Sequence, residues 1–124
     1  MKPKIAVVED NLDNRLLVQA ILEDQYEISE YETGKEVLDG LADNIPDLVL
    51  LDISLPGMDG TEVLRWVRSQ ELLSELPVIA LTAHAMSGDR EKYLEMGFDE
   101  YVTKPIVDEE VLVGAIERLL AKSA

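Results

Sequence analysis

The chain contains no cysteine and a single histidine, His84. Without thiols it has no thiolate zinc site, no catalytic cysteine and no disulfide, which suits a reducing compartment. Long apolar runs are also missing, because the apolar segment after residues 1–4 ends within four residues at Glu9. That is too short for a signal-peptide core, and no stretch approaches the ~20 residues of a membrane span. We therefore expect a cytoplasmic protein with no membrane partner.

Basic residues are scarce as well. Lys and Arg number 11 against 26 Asp and Glu, so the formal net charge is −15. Nucleic-acid phosphates are bound by basic surfaces that release counterions, so we expect no nucleic-acid partner. Proteins with basic rims are the expected partners.

The rest of the composition is that of an ordinary globular domain. Of 124 residues, 47% are apolar and 30% charged, with five Pro and seven Gly. This length supports one core but leaves no room for a second domain. We expect a single domain over residues 1–124, with no effector domain.

Short apolar runs alternate with segments of helical period. Continuous runs at 5–8, 48–51 and 78–81 predict parallel strands buried on both faces, with a weaker strand at 101–102. Residues 27–31 alternate polar and apolar, which predicts a strand nearer a sheet edge. Helices are predicted over 12–23, 34–42, 60–69 (continuing irregularly to Glu75), from a Ser87 cap to Met96, and from an Asp108 cap to Leu120. The order is β-α repeated five times, which predicts an α/β doubly wound parallel sheet.

Polar side chains follow the predicted strands where each one ends. Glu9 and Asp10 follow the first, Asp52 the third and Thr82 the fourth, while Lys104 comes shortly after the fifth. Parallel strands bring these positions to one edge, where ligands bind in such sheets. Clustered carboxylates need protons or a cation, and Mg2+ suits a set of oxygen ligands. Three carboxylates balanced by Lys104 and a divalent cation would accept a phosphoryl group, with aspartate as nucleophile.

Each residue alone has a simpler interpretation. An aspartate at a strand end usually caps a helix or forms a turn, and a lone lysine is usually a solvated charge. The set is more specific than its members, because Lys104 precedes Pro105 and Asp52 is followed four residues later by Pro56-Gly57.

With the run Leu-Leu-Asp-Ile-Ser-Leu-Pro-Gly-Met-Asp-Gly at 50–60, these residues make the chain resemble a response-regulator receiver domain of two-component and phosphorelay signalling. The resemblance extends from Lys4 to about Leu120. It is greatest to stand-alone single-domain regulators of the cell-division and chemotaxis type and to receivers of hybrid kinases. We accordingly expect a five-stranded (βα)5 domain with the flavodoxin-like strand order 2-1-3-4-5.

The resemblance also implies a role for each site residue. Asp52 is the implied phosphoacceptor, and Thr82 and Lys104 complete the catalytic set. The implied Mg2+ ligands are Glu9, Asp10, Asp52 and the main-chain carbonyl of Ser54. Thr82 and Tyr101 form the implied switch, and Pro105 follows an implied cis peptide bond.

The implied function is a signalling switch rather than a turnover enzyme. Asp52 would accept phosphoryl from a histidine kinase or histidine phosphotransfer protein. Thr82 would then move inward and Tyr101 would follow, altering the helix 4, strand 5 and helix 5 face that binds a downstream target. We expect that face to include Met86, Val102 and Ile106, and the protein to be a monomer or weak dimer. The alternative for Tyr101 is a fixed packing residue.

The first predicted helix carries an unusually wide apolar surface. At 100° per residue its apolar positions from Leu16 to Leu22 span an arc near 240°, wider than a core-facing stripe requires. Part of this arc should stay exposed beside the acidic pocket, as a docking face for a helix bearing phosphohistidine, unless neighbours bury the helix unusually well. Trp66 is expected to be a packing residue. His84 fits a surface loop better than a relay histidine, and with Ser54 it should border the path of the hydrolytic water.

Three other classes stay open at this point. An aspartyl-phosphate phosphatase would place a second aspartate where Ser54 stands. A flavin-binding module would need a phosphate loop where Glu9 and Asp10 stand, and their charge would repel the ligand. A pseudo-receiver with a purely structural role conflicts with the intact acceptor set.

Overall fold

The chain alternates strands and helices throughout, as a computed structural model shows for residues 2–83, 89–104, 106 and 108–123. The strands are β1 Lys4–Val8, β2 Glu27–Tyr31, β3 Leu48–Asp52, β4 Val78–Thr82 and β5 Glu100–Thr103. The helices are α1 Leu12–Leu22, α2 Gly34–Gly40, α3 Gly60–Ser69, α4 Asp89–Met96 and α5 Glu109–Ser123, and a 3-10 helix, Leu41–Asp43, follows α2. Within these residues no helix is long and apolar enough to cross a bilayer.

The strands form one parallel sheet in the order β2-β1-β3-β4-β5, which confirms the predicted fold. The continuous apolar runs became β1, β3 and β4, which lie inside the sheet. The alternating strand β2 lies at an edge, as its pattern predicts. Edge position explains that pattern, because an edge strand keeps part of its surface in solvent.

The sheet separates two apolar layers. On one face the strands pack against α1 and α5, with Val18, Leu22, Leu112 and Ile116 buried among them. On the other face they pack against α2, α3 and α4, with Val37, Leu64, Val67 and Tyr93 buried. Trp66 packs against this second layer, as expected. Helices on both faces are what parallel crossovers of one hand produce.

Helix ends follow the predicted caps with small differences. Asn11, one of two candidate caps for α1, accepts a hydrogen bond from the Asn14 backbone N–H, and Thr33 does the same for Glu36. Helix α2 ends at Gly40, short of the predicted 42, because glycine is a weak helix former and the chain tightens there into the 3-10 helix. Helix α5 continues past the predicted Leu120, since Ala121 and Lys122 favour helix. The predicted cap Ser87 lies outside the described residues.

Gly60, at the start of α3, allows the helix to approach the end of β3. A Cβ at this position would overlap the Asp52 carbonyl oxygen and lie 2.8 Å from the Ile53 Cα. The Gly60 N–H donates to the Ile53 carbonyl at 2.9 Å, so neither backbone can move aside without losing that bond. Gly57, three residues earlier, has a φ of +76°, which favours glycine. These two glycines shape the loop that leaves Asp52.

We expect Gly60→Ala to lower the free energy of unfolding by about 1–3 kcal/mol, because the added methyl group meets backbone atoms. Gly114→Ala in α5 is the matched control. Its Cβ would meet the movable end of Arg118 at 3.4 Å, so the better helix former should leave stability unchanged or raise it by up to about 1 kcal/mol. Urea denaturation measures both. Equal stability of the two variants would contradict the proposed close approach.

Candidate functional site at the carboxyl edge of the sheet

Three carboxylates meet where β1 and β3 end. Glu9 is fully buried, Asp52 is 2% exposed and Asp10 is exposed. One oxygen from each lies within 4.8 Å of the others. The parallel register of β1 and β3 brings them together. Val8 pairs with Leu51, and the residues that follow this pair are Glu9 and Asp52. The predicted acidic cluster is therefore present in the fold.

Lys104 connects the two buried members of this cluster. Its Nζ lies 3.1 Å from Glu9 Oε1 and 3.1 Å from Asp52 Oδ1. Asn14, on the first turns of α1, donates to Glu9 Oε1 at 2.8 Å, and the Ser54 backbone N–H donates to Asp52 Oδ1 at 3.0 Å. Glu9 Oε2 has no hydrogen-bond donor within the described part of the chain. The site thus contains an oriented but incompletely satisfied pair of carboxylates.

The two carboxyl groups differ in proton affinity. Burial, followed by the neighbouring Asp52, raises the pKa of Glu9 to about 7. Burial also disfavours the Asp52 carboxylate, but the neighbouring Glu9, the Ser54 backbone N–H and Lys104 favour its charged form and hold the pKa of Asp52 below its ordinary value. Although burial opposes it, contact with both carboxylates holds the pKa of Lys104 above its ordinary value. Near neutral pH, Asp52 is the ionised partner and a proton resides on Glu9 for part of the time.

The donor set fits a hard divalent cation. Mg2+ prefers carboxylate oxygens and keeps several waters, and the cluster offers three carboxylates, one of them exposed. Among the described residues nothing pairs with the buried Oε2 of Glu9, and this oxygen suits a positive ligand, since buried polar atoms are normally satisfied. A cation here would replace the proton that Glu9 otherwise retains.

Thr82 ends β4 at the same edge and is 2% exposed. Its hydroxyl forms a hydrogen bond of 3.2 Å with the hydroxyl of Tyr93, on α4. The Tyr93 ring in turn packs against Tyr101 on β5, with ring centroids 6.0 Å apart, and edge-on against Phe98. Tyr93 therefore connects the two residues that the sequence predicts as a switch.

Sequence reasoning missed several residues that organise this edge. Asn14 and Tyr93 contact site residues directly, and Arg15 binds the main chain of the acidic pair. Only weak features of the sequence single these residues out. Arg15 is the one basic residue between Lys4 and Lys35, and Tyr93 is the one aromatic residue of α4. His84, Met86 and Pro105 lie outside the described residues.

The prediction for Val102, which the sequence analysis placed on a binding surface, is wrong. Val102 is 3% exposed and packs in the layer with α5, so it cannot form part of the surface at which the sequence analysis placed it. Successive residues of a strand point to opposite sides of the sheet, and Tyr101 takes the side facing α4. Ile106 packs against the α5 layer and is half-buried.

The apolar face of α1 is partly exposed, as its width predicts. Leu12, Leu16 and Leu17 are 56%, 52% and 40% exposed, whereas Val18 and Leu22 are buried. The exposed leucines lie on the turns next to Asn14, which contacts Glu9. An apolar surface therefore adjoins the carboxylate cluster.

A parallel (βα)5 sheet with an acidic cluster and a lysine at its carboxyl edge defines a class of signalling domain. The family model described as response regulator receiver domain matches residues 5–117, and the chain belongs to this family. The polar-differentiation response regulator DivK of Brucella ovis is 41% identical over 107 residues, covering 86% of this chain and 87% of that protein. The sensor protein GacS of Pseudomonas syringae pv. syringae is 41% identical over 113 residues, covering 88% of this chain but 12% of that protein.

A solved receiver domain is also similar to this chain. The receiver domain of the sensor histidine kinase PA1611 from Pseudomonas aeruginosa superposes with a TM-score of 0.87 at 32% identity, covering 98% of this chain and 99% of that one. That protein holds a magnesium ion in its active-site cleft. Receiver domains of two-component signalling are switches rather than turnover enzymes, and they bind Mg2+ at an acidic pocket. Membership of this family favours a receiver domain over the phosphatase and flavin-binding classes.

We expect the stability of the metal-free protein to depend on pH through Glu9. Its pKa is raised from 4.5 to about 7 in the folded chain, so the folded state binds the proton more tightly. The resulting stability is fully present below about pH 4.5 and is lost as pH rises through about 7. Urea denaturation between pH 4.5 and 8 with chelator should show this loss in the wild type and not in Glu9→Gln.

Glu27→Gln, on the exposed start of β2, is the matched control and should keep the wild-type pH dependence. Saturating Mg2+ should reduce the loss, because the cation takes the place of the proton. Identical pH profiles for the wild type and Glu9→Gln would show that Glu9 does not hold this proton.

Proposed function

We propose that this receiver domain accepts a phosphoryl group from phosphohistidine onto Asp52 and changes its protein-binding surface as a result. The observation that carries the proposal is the position of Asp52. Its buried carboxylate ends the central strand, contacts Lys104 at 3.1 Å and lies beside Glu9 and Asp10. The phosphoryl donor would be a histidine kinase or histidine phosphotransfer protein. We also propose a cytoplasmic location, which the absence of cysteine suits.

In the proposed transfer an Asp52 carboxylate oxygen attacks phosphorus. The new O–P bond forms as the N–P bond of phosphohistidine breaks, and the bonding electron pair returns to the imidazole. The low pKa of Asp52 keeps this nucleophile ionised. Lys104 and the Thr82 hydroxyl would contact the phosphoryl oxygens, where charge must be neutralised. Water later cleaves the O–P bond, restoring the carboxylate and releasing phosphate.

Mg2+ is the proposed cofactor, and its proposed ligands are Glu9, Asp10, Asp52 and the Ser54 carbonyl. When bound, the cation neutralises phosphoryl oxygens during transfer. The chain itself supports such a site through the buried Glu9 oxygen that no described donor satisfies.

The exposed leucines of α1 are the proposed docking surface for the donor helix. Leu12, Leu16 and Leu17 form an apolar patch next to the carboxylate cluster, and large apolar patches on a soluble domain mark interaction sites. Docking there would place a histidine of the partner near Asp52. The acidic net charge favours a partner with a basic rim.

Output is proposed to pass through Thr82 to the face formed by α4, β5 and α5. A phosphoryl group on Asp52 would compete with Tyr93 for the Thr82 hydroxyl. Release of Tyr93 would loosen its packing against Tyr101 and change the surface around α4, where a downstream protein would bind. Some unphosphorylated molecules should sample this second arrangement, because a ligand shifts the population of states that it binds unequally. We propose that the chain acts as a monomer or weak dimer.

We expect Asp52 to be the phosphoacceptor. Treatment with acetyl phosphate and Mg2+ should add one phosphoryl group to the wild type and none to Asp52→Asn, as measured by intact mass. Asp59→Asn is the matched control, since this half-buried loop aspartate caps α3 and asparagine caps equally well. The same mass gain in Asp52→Asn would contradict the assignment, and a loss in Asp59→Asn would point to damage of the loop.

We expect Tyr93→Phe to favour the phosphorylated arrangement. The substitution removes the hydroxyl that holds Thr82 and keeps the ring that packs against Tyr101 and Phe98. Affinity for beryllofluoride, a phosphoryl mimic, should rise about 5-fold, the equivalent of one neutral hydrogen bond. Tyr26→Phe, in the opposite apolar layer, should leave the affinity unchanged. An unchanged affinity in Tyr93→Phe would remove Tyr93 from the switch.

A further inference from the structure

Arg15 is a buried cation that serves no role in the transfer described above. Its side chain is 8% exposed, although it lies on α1 between exposed leucines. Burying a guanidinium is costly unless its donors are all used. Its partners therefore indicate what the fold gains from it.

The guanidinium binds the main chain of the acidic pair on one side. Its Nη1 donates to the Glu9 carbonyl oxygen at 2.9 Å and reaches the Asp10 carbonyl oxygen at 3.5 Å. These contacts go to the backbone, so both carboxylates stay available to the pocket. The Glu9 N–H is fixed as well, since it donates to the Tyr31 carbonyl at 3.0 Å.

The other side of the guanidinium binds the end of β2. Its Nε lies 3.1 Å from Glu30 Oε2, and its Nη2 lies 3.3 Å from Glu32 Oε1. These two glutamates more than offset the single positive charge of Arg15. One planar group thus ties three elements together: the loop after β1, the first turns of α1 and the edge strand.

We propose that Arg15 is a positioning residue for magnesium binding, which holds the backbone of Glu9 and Asp10 so that their carboxylates converge. The inference rests on the proposed function, because it assumes that this pair binds Mg2+. Groups that orient metal ligands from behind are typically worth 10–100-fold in metal affinity. Lysine cannot replace the planar fork, since its single ammonium does not reach both sides at once.

Charge and position predict opposite effects of removing Arg15. Deleting a cation close to a cation site should strengthen Mg2+ binding by Coulomb's law. If Arg15 instead positions the backbone of Glu9 and Asp10, its removal should weaken Mg2+ binding. The direction of the change in Mg2+ affinity therefore distinguishes a positioning role from a purely electrostatic effect.

The test is calorimetric titration of Mg2+ into the wild type, Arg15→Met, Arg15→Lys and Arg68→Met. Arg68, whose side chain is 24% exposed, is the matched control. Like Arg15 it binds backbone carbonyls, those of Gly97, Ser74 and Leu76, and a carboxylate, that of Asp99. Arg68→Met should bind Mg2+ within 2-fold of the wild type. Arg15→Met should bind Mg2+ about 10-fold more weakly than the wild type. The affinity of Arg15→Lys should lie between those of Arg15→Met and the wild type.

A second readout needs no metal. In the chelated protein, amide NMR signals of Glu9 and Asp10 should shift or broaden in Arg15→Met and stay in place in Arg68→Met. Unchanged or tighter Mg2+ binding by folded Arg15→Met would overturn the proposal. If that variant does not fold, Arg15→Lys decides, and wild-type affinity there would overturn it. Absence of Mg2+ binding by the wild type would instead overturn the proposed function itself.

Discussion

The buried carboxylates Glu9 and Asp52 share one ammonium, and the rest of the site follows from that imbalance. Lys104 lies 3.1 Å from both, so two negative charges face one positive charge in a place where water is largely excluded. The fold accommodates the excess by raising the pKa of Glu9 and lowering that of Asp52. Glu9 is thereby suited to hold a proton or a cation, and Asp52 stays ionised, as the proposed nucleophile must.

Holding such an arrangement requires that the backbone around it be fixed from several directions. Gly60 lets α3 approach the Asp52 carbonyl, which sets the exit of β3. Arg15 binds the carbonyls behind Glu9 and Asp10, and Asn14 binds the Glu9 carboxylate from the same helix. These contacts come from residues that flank the chemistry and do not take part in it. Burying the polar side chains of Arg15 and Asn14 costs free energy, and their hydrogen bonds to the acceptors named here offset that cost.

Much of this could be predicted from sequence because it depends on local pattern and on topology. Continuous apolar runs identified β1, β3 and β4, and the rule that ligands bind at the carboxyl edge brought Glu9, Asp52 and Lys104 together. The contacts of Arg15 and Tyr93 could not be read in this way. They depend on side-chain direction across elements distant in sequence, as when Tyr93 reaches Thr82 from α4. The prediction that Val102 lies on the surface was wrong for the same reason. The two-residue apolar run at 101–102 does not reveal which side of the sheet each residue faces.

Because successive residues of β5 face opposite sides of the sheet, the proposed rearrangement is confined to one of its two faces. Tyr101 and Val102 are neighbours on β5, yet Tyr101 packs with the layer that contains Tyr93 and Val102 with the layer that contains α5. A rearrangement that begins at Thr82 meets Tyr93 first, and then Tyr101, without crossing the sheet. Val102 stays anchored among Leu112 and Ile116. In the proposed switch, the α4 side of the surface formed by α4, β5 and α5 should therefore change more than the α5 side. The proposed donor surface on α1 lies across the sheet from α4, the part of the proposed output face that is expected to change most.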